Sequence, residues 1–558
     1  MNTFDAYQAK LKQFADQIPR LLARHPETLE EAELILAHIA KLEQARCFRL
    51  AVTGKIKQGK STLINALIGR SLPTVGVNET TATLNFINYG TGADLQKISV
   101  CWKDGRADDE YPLDFLTRFQ GEGAKPLAEQ IKGISLFAEA AFLRNVQLID
   151  TPGELGTLLN EIDIKADALI RVLPYVAEAN DLNHLDKFGC ETRPFGSGAY
   201  NSIAVIQKWE YCWPDYKAHD PFSIDPFENA LRRAEEQCNV LGDAVSCVLP
   251  VSGLLELFSK DVDNAWLNKF LEFANQASKD DLMTMLEHQH NFTDDDDYKT
   301  APLELRQQVW RDLKTALKYN SKAAWPTLKM AVWAVQRYSP THADTLRERL
   351  HTMSNIDSLN EILRKRFFAL SDLIHTGSQL NKALIPCNNA VHRLSVKREK
   401  HKHLLEEGVE SLQTLDRMTT VNLEAKQDIR LYIQKMQRIV EKEIGWLGDT
   451  CRQIATLDAD IKSSFNTIEK EIAFLHLLDG KGTETCFSEA RRILGQWGIE
   501  INQRLGCEPE CSPQAMSDKA WEFYDRWRQE SYSLPQGVQE AVINRLNLIL
   551  NVLDENVK

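Results

Sequence analysis

The sequence predicts two fold classes in one chain. One is an open, mainly parallel α/β sheet with helices on both faces; the other is an extended all-α bundle. Three observations predict them. Short β-type runs alternate with helical stretches between about residues 47 and 255. Beyond about Leu255 the β signal fades, and from Thr341 the pattern is helical. No proline occurs between Pro386 and Pro509, which leaves room for long helices.

The elements follow in order. Phe4, Tyr7, Leu11, Phe14, Ile18 and Leu21 step by three and four, the seam of an amphipathic helix. Pro26 ends that helix or opens the next, and Glu30 to Ala45 forms a second amphipathic stretch. These N-terminal helices (1–45) are too apolar along the seam to stay exposed, so they are expected to pack with C-terminal ones. Strands are predicted at Phe48–Val52, Asn85–Ile87, Ile98–Cys101, Val146–Ile149, Ser202–Ile206 and Val248–Val251. They define a head over 46–340, with a motif core at 47–255 and a helical extension to about 340. Thr293 to Asp297 is an acidic loop whose carboxylates stay solvated. Residues 341–558 complete the helical part. There Leu404, Val409, Leu412 and Leu415, then Ile429, Ile433, Ile439 and Ile444, then Val538, Val542, Leu546, Ile549 and Leu553 read as bundle core.

Composition narrows the function classes. The 558 residues carry a net charge of −13, with 43% hydrophobic and 26% charged residues. An acidic balance argues against a nucleic-acid binder, which needs a basic surface to neutralise phosphates. The opening residues show no signal-peptide pattern, and no apolar run approaches the roughly 18 residues of a membrane span. Eleven cysteines without a framework fit reduced thiols, so a cytoplasmic protein is expected. Cys507 and Cys511, the closest pair, read as structural. Arg393, Lys397, Arg398, Lys400 and Lys402, with His392, His401 and His403 among them, form a basic cluster. It reads first as a solvated helix face; the alternative is a patch for anionic head groups, at about 1 kcal/mol per basic residue.

The motif that carries chemistry begins at the end of the first strand. Gly54-Lys55-Ile56-Lys57-Gln58-Gly59-Lys60-Ser61 fits Gly-x-x-x-x-Gly-Lys-Ser/Thr, and Thr62 leads into a helix. In such a loop backbone N–H groups wrap phosphates, Lys60 supplies a point charge and Ser61 ligates magnesium. The helix N-terminus adds its own partial positive charge. Val146 to Gly153 ends a second strand in Asp150-Thr151-Pro152-Gly153. At this spacing behind a phosphate loop, Asp150 is expected to hold Mg2+ through water and the Gly153 N–H to meet the γ-phosphate. Between the two lies a loop containing Thr80 and Thr81. Thr81, with Thr80 as fallback, is the expected switch threonine on the metal.

Base recognition is expected from Gln207-Lys208-Trp209-Glu210, where Asn/Thr-Lys-x-Asp would read guanine. Lys208 would lie along the base plane, and Glu210 would accept from guanine N1 and N2. Gln207 and Glu210 both depart from that pattern. Ser252-Gly253 resembles the last base-contacting loop, with glycine for alanine. The ligands implied are GTP or GDP with Mg2+; Asp-Thr-Pro-Gly with an adjacent threonine loop argues against a kinase.

The run from Gly54 to Gly69, with Leu72-Pro73 and Thr80-Thr81-Ala82, resembles the bacterial dynamin-like GTPases over roughly 46–255. The resemblance implies a P-loop GTPase head, a neck joining N- and C-terminal helices, a trunk, and coupling of nucleotide state to stalk movement and membrane remodelling. It implies a homo-oligomer through the heads, or pairing with a second dynamin-like chain, and contact with an anionic membrane surface. Where relatives often use glutamine or serine to place the attacking water, this chain has Ile56 and Lys57; Lys57, Lys60 and Thr81 are the expected catalytic residues. Glu154 occupies the position after Asp-Thr-Pro-Gly, so hydrolysis by a monomer should be slow. The alternative is a poorly hydrolysing nucleotide-dependent switch that recruits partner chains. No convincing lipid-binding tip stands out; Phe474–Leu478 is the nearest candidate and reads as core.

Overall fold

A computed structural model describes residues 3–40, 47–55, 57–70, 72, 84–119, 130–151, 166–174, 179–192, 200–211, 222–317, 323–368, 371–478, 485–495 and 501–557. The chain divides into two compact units. One is the head, Arg46–Gly189 with Gly198–Ile374; the other is helical, Met1–Ala45 with Cys190–Ser197 and His375–Lys558. The chain opens in the helical unit with α1 (Thr3–Leu22) and α2 (Leu29–Ala40), separated by a 3-10 turn that starts at Pro26.

The head is built on one sheet. Its strands are β1 (Phe48–Thr53), β2 (Asn85–Tyr89), β3 (Lys97–Trp102), β4 (Asp109–Pro112), β5 (Ile131–Ala138), β6 (Val146–Asp150), β7 (Ala168–Leu173), β8 (Ser202–Ile206) and β9 (Val248–Pro250), in the order β4-β3-β5-β2-β6-β1-β7-β8-β9. The β6-β1-β7-β8-β9 half is parallel. Antiparallel pairing enters where β2 meets β6 and where β3 meets β5 and β4. Every residue of β7 and β8 is buried, as parallel strands covered on both faces require. The six predicted strands are present; β4, β5 and β7 come in addition.

The head helices are α3 (Lys60–Ile68), α4 (Ala179–Thr192), α5 (Pro226–Leu241), α6 (Gly253–Asp261), α7 (Asn264–Gln276), α8 (Lys279–Met285), α9 (Leu303–Ala316), α10 (Ala324–Tyr338), α11 (Ala343–Ser354) and α12 (Ile356–Ile362). From α6 to α11 they share one core, with Trp266, Phe270, Phe273, Phe292, Trp310 and Trp333 at its centre. The head unit runs past residue 340 because α11 lays Leu346 and Leu350 into that core. In the acidic loop Asp294, Asp296 and Asp297 are exposed, while the backbone wraps a buried guanidinium: Arg306 donates to the carbonyls of Asn291 (2.9 Å), Phe292 (2.6 Å) and Asp295.

The helical unit is dominated by α13 (Ser371–Arg417) and α14 (Leu423–Leu478). They form an antiparallel hairpin: Asp416 meets Arg430, Gly408 faces Gln437, His401 meets Glu443 at 3.3 Å, and Gly448 faces Arg398. Helix α1 packs on α14 and buries Phe14, Ile18 and Leu22. The His25 ring lies 4.1 Å from Trp446, and its Nε2 is 3.3 Å from Thr450 Oγ1. Two residues of the basic cluster are engaged in this packing: Arg393 pairs with Glu31 at 3.1 Å and Lys397 with Glu27 at 2.8 Å. At the far end α15 (Thr485–Ile493), α16 (Pro513–Gln529) and α17 (Val538–Val557) close a second core with the end of α14. Leu475 and Leu478 belong to it and Phe474 packs against it, so these three residues of the Phe474–Leu478 run are core. Among the described residues no helix is long and apolar enough to cross a membrane.

Candidate nucleotide-binding site

Strand β1 lies inside the parallel half, between β6 and β7, and its carboxyl end feeds the 54–59 loop, where open α/β sheets place ligands. Gly59 holds φ 97° as it caps α3, a left-handed conformation that suits glycine. The Lys55 N–H donates to Gln58 Oε1 at 2.6 Å, which closes the loop on itself. Lys60, the first residue of α3, is buried; its Nζ donates to the carbonyls of Gly54 (2.9 Å) and Lys55 (3.0 Å). Burial holds its pKa below the usual lysine value, with Asp150 opposing and Arg171 reinforcing that shift.

Asp150 ends β6, beside Val52 of β1. Its carboxyl is pushed up to about 6 by burial, against the pull of Lys60, Ser61 and Asn85. Ser61 Oγ donates to Asp150 Oδ2 at 3.3 Å, while Oδ1 is buried without a hydrogen-bond partner. A hydroxyl and a half-satisfied carboxylate at this spacing fit a hard divalent cation, and these are the described residues that would hold it. Such a cation supplies charge neutralisation to phosphate oxygens.

The base-side residues converge on the same loop. Gln207 follows β8, and its side chain lies 3.5 Å from where a Cβ on Gly59 would be. Its Oε1 accepts from the Gly253 N–H at 3.3 Å, and its Nε2 has no partner. The extra methylene over asparagine lets one side chain touch both loops. Lys208 and Lys57 both carry left-handed backbone, φ 63° and 64°, and Lys208 Nζ donates to the Lys57 carbonyl. Holding two non-glycine residues there costs on the order of 1 kcal/mol each. Burial lowers the Lys208 pKa, against the pull of Glu210.

Glu210 is 1% exposed, with Oε2 unpartnered. Burial pushes its carboxyl up to about 7, although its own backbone N–H, Ser252 and Lys208 pull the other way. Ser252 caps α6 by accepting from the Leu255 N–H at 3.1 Å. A Cβ on Gly253 would sit 2.8 Å from the Thr62 carbonyl, which explains glycine where alanine was the expected type. The fold thus gathers Gly54, Lys55, Lys57, Gln58, Gly59, Lys60, Ser61, Thr62, Asp150, Gln207, Lys208, Glu210, Ser252 and Gly253 around the end of β1. Ile56, Thr80, Thr81, Gly153 and Glu154 lie outside the described residues.

Residues 50–161, which hold the phosphate loop and Asp150, match the model of the dynamin family. Over that stretch the chain is similar to the dynamin family. Over 72 residues it is 42% identical to a bacterial dynamin-like protein of Nostoc punctiforme, covering 13% of this chain and 10% of the relative. Over 178 residues it is 27% identical to an uncharacterized protein from the xynA 3′ region of Caldicellulosiruptor sp., covering 30% and 43%. The matched stretches therefore span less than half of either relative. Among solved structures, LeoA, a bacterial dynamin GTPase from ETEC, aligns over 100% of this chain and 97% of its own at 14% identity and a TM-score of 0.21.

Two groups of residues in the head escaped the sequence reading. Ser354 and Asn355, after α11, hold the base-side loop: the Ser252 N–H donates to the Ser354 carbonyl at 2.9 Å, and Asn355 Nδ2 donates to the Pro250 carbonyl at 2.9 Å. Buried Glu256 ties that turn down through Ser354 Oγ (3.0 Å) and His351 Nδ1 (2.7 Å). Nothing in the local pattern marks residues a hundred positions apart as partners. The second group is the buried ion pair of Arg171 on β7 with Asp181 on α4, 2.5 Å apart. A lone arginine inside the apolar run Ala168–Leu173 was the available signal.

Proposed function

We propose that the chain binds guanine nucleotide with Mg2+ at this site, hydrolyses GTP slowly as a monomer, and couples nucleotide state to movement of its helical unit during membrane remodelling. The observation that carries the reading is the convergence of the Lys60 loop, Asp150 and Glu210 on the end of β1. Lys60 neutralises phosphate charge; Ser61 and Asp150, with Thr81, hold the metal; the Gly153 N–H meets the γ-phosphate. Lys208 and Glu210 read the base, with Gln207, Ser252 and Gly253 as its frame. Catalysis here is positioning and charge stabilisation, with little covalent work for the protein. Residues 1–45 act as a neck with the C-terminal helices, and the protein works in the cytoplasm, at the membrane surface during remodelling. It acts as a homo-oligomer through its heads or with a second dynamin-like chain.

Stimulation is expected when two heads pair and Lys57 brings positive charge near the β- and γ-phosphates. The experiment is GTP turnover against protein concentration for wild type, Lys57→Ala and Glu154→Ala, with GTP and ATP compared with and without magnesium. Turnover per head should rise with concentration and fall more for Lys57→Ala than for Glu154→Ala. Rapid turnover that ignores concentration and survives Lys57→Ala would sink the catalytic part. Tight binding with no turnover at any concentration would favour a nucleotide-dependent switch, a reading supported by the departures at Gln207 and Glu210.

A further inference from the structure

Helix α14 carries two seams. One faces α13, where Arg430, Gln437 and Gly448 meet Asp416, Gly408 and Arg398. The other lies more than a third of a turn round the helix from these residues, at roughly 100° per residue. It holds Ile429, Tyr432, Met436 and Ile439, which are 43, 65, 43 and 46% exposed. Beyond Ile439 the same stripe runs on to Glu443, which pairs with His401, and to Trp446, whose ring lies tilted against His25. Large apolar side chains left open on a solvated helix mark a contact surface. Steps of three, four and three residues, flanked by Asp428, Lys435 and Lys442, make the narrow seam of a helix pair rather than the broad face of a helix lying on lipid.

We propose that this seam pairs with the same seam of a second copy of the chain, antiparallel across a two-fold axis. One register satisfies both the apolar and the charged positions. With Ile429 against Ile439 of the second copy, Tyr432 meets Met436, and symmetry repeats both layers, so all four are apolar. The same register sets Asp428 of each copy beside Lys442 of the other, two opposite-charge pairs against one like-charge Lys435 contact on the axis. Asp428 and Lys442 are exposed and have no ion-pair partner among the described residues. Sliding by one heptad toward the Glu443 end is disfavoured: Tyr432 then meets Glu443, Lys435 meets Lys442, and Asp428 meets Asp449. Four layers fall short of the roughly 1,200 Å² buried by a stable interface, so the pairing is weak and reversible. It is independent of the nucleotide reading.

The test is sedimentation equilibrium of the full chain in EDTA without nucleotide, where head pairing driven by GTP plays no part. The expected result is a monomer–dimer equilibrium with a Kd in roughly the micromolar range. Met436→Glu should raise that Kd at least about tenfold while nucleotide affinity stays unchanged. Asp428→Lys and Lys442→Asp should each weaken the dimer several-fold, and the double exchange should restore it. A monomer at every concentration up to about 100 μM, a dimer indifferent to Met436→Glu, or a double exchange that fails to restore pairing would each overturn the proposal. So would a chain that stays monomeric yet loses phosphatidylglycerol vesicle binding on Met436→Glu, since the seam would then serve lipid.

Discussion

Glu210 offers the sharpest test of the base-side reading. Guanine presents two donors, N1–H and the N2 amino group, and only an ionised carboxylate accepts both. Burial raises this carboxyl from 4.5 to about 7. Affinity for a guanine nucleotide should therefore fall as Glu210 takes up its proton. One pH unit below that value only about one carboxyl in eleven is ionised, so affinity should drop roughly tenfold between pH 8 and pH 6. Glu210→Gln keeps the shape but offers one acceptor and one misplaced donor. It should bind on the order of a hundredfold more weakly at pH 8 and lose the pH dependence. The folded pKa lies above the unfolded one, so the unfolded chain ionises first and stability falls as pH climbs from 4.5 to about 7. The charge costs at most on the order of 3 kcal/mol above that window, so Glu210→Gln should stabilise the head at pH 8 and change little at pH 4. The assay is titration with fluorescent GDP in EDTA, which removes any metal term through Asp150, with the variant correcting for titration of the phosphates. Equal pH slopes for wild type and variant, or tight guanine binding by the variant, would refute the assignment.

Further outcomes follow from neighbouring contacts. Lys60→Ala should lower nucleotide affinity more than about a hundredfold while leaving the unfolding temperature nearly unchanged, because among the described residues Nζ bonds only carbonyls of its own loop; unaltered GTP binding would show the loop misassigned. Gly253→Ala should destabilise the head by about 1–3 kcal/mol in chemical denaturation, since the new methyl meets the Thr62 carbonyl at 2.8 Å. Asp181→Leu leaves Arg171 buried and unpaired and should cost about 3–5 kcal/mol, whereas Arg171→Met with Asp181→Leu should recover most of it. Equal losses in the single and double variants would show that the pair contributes only shape.

The sequence reading reached what is encoded locally. The phosphate loop, Asp150 and the turn after β8 each occupy a few consecutive residues at the end of a strand, so their spacing carries the geometry. What it missed depends on contacts across the fold. Strand β7 is crossed by Arg171, whose charge breaks the apolar run, and the compensating Asp181 sits on the next helix. Gln207 reads as a defect beside asparagine until Gly59 and Gly253 are seen on either side of it. The stripes Leu404–Leu415 and Ile429–Ile444 were expected to be core because period alone shows only that a helix is amphipathic. It cannot say whether a partner covers the face. Leu415 is buried, but Leu404, Val409, Ile429 and Ile439 are 52, 46, 43 and 46% exposed, so much of that expectation fails along the open side of the hairpin.

The electrostatics of the head bind these findings together. Lys60 and Lys208 are held below the ordinary lysine value, and Asp150 and Glu210 above the ordinary carboxylate value, in each case chiefly by burial. Four ionisable groups thus stand in surroundings that oppose their charges, and two carboxylates each keep an unpartnered oxygen. Such groups destabilise a fold unless a ligand supplies what they lack. On the proposed reading, a phosphate chain would offer negative charge to the lysines, a divalent cation positive charge to Asp150, and guanine two donors to Glu210. Binding energy and head stability would then be linked: a ligand that binds the folded head and not the unfolded chain raises its stability. The base-side loop rests on Ser354 and Asn355, at the turn from α11 into α12. Ordering of Glu210 and Ser252 by a base would therefore reach the C-terminal segment of the head through two hydrogen bonds. That route needs no change in the sheet.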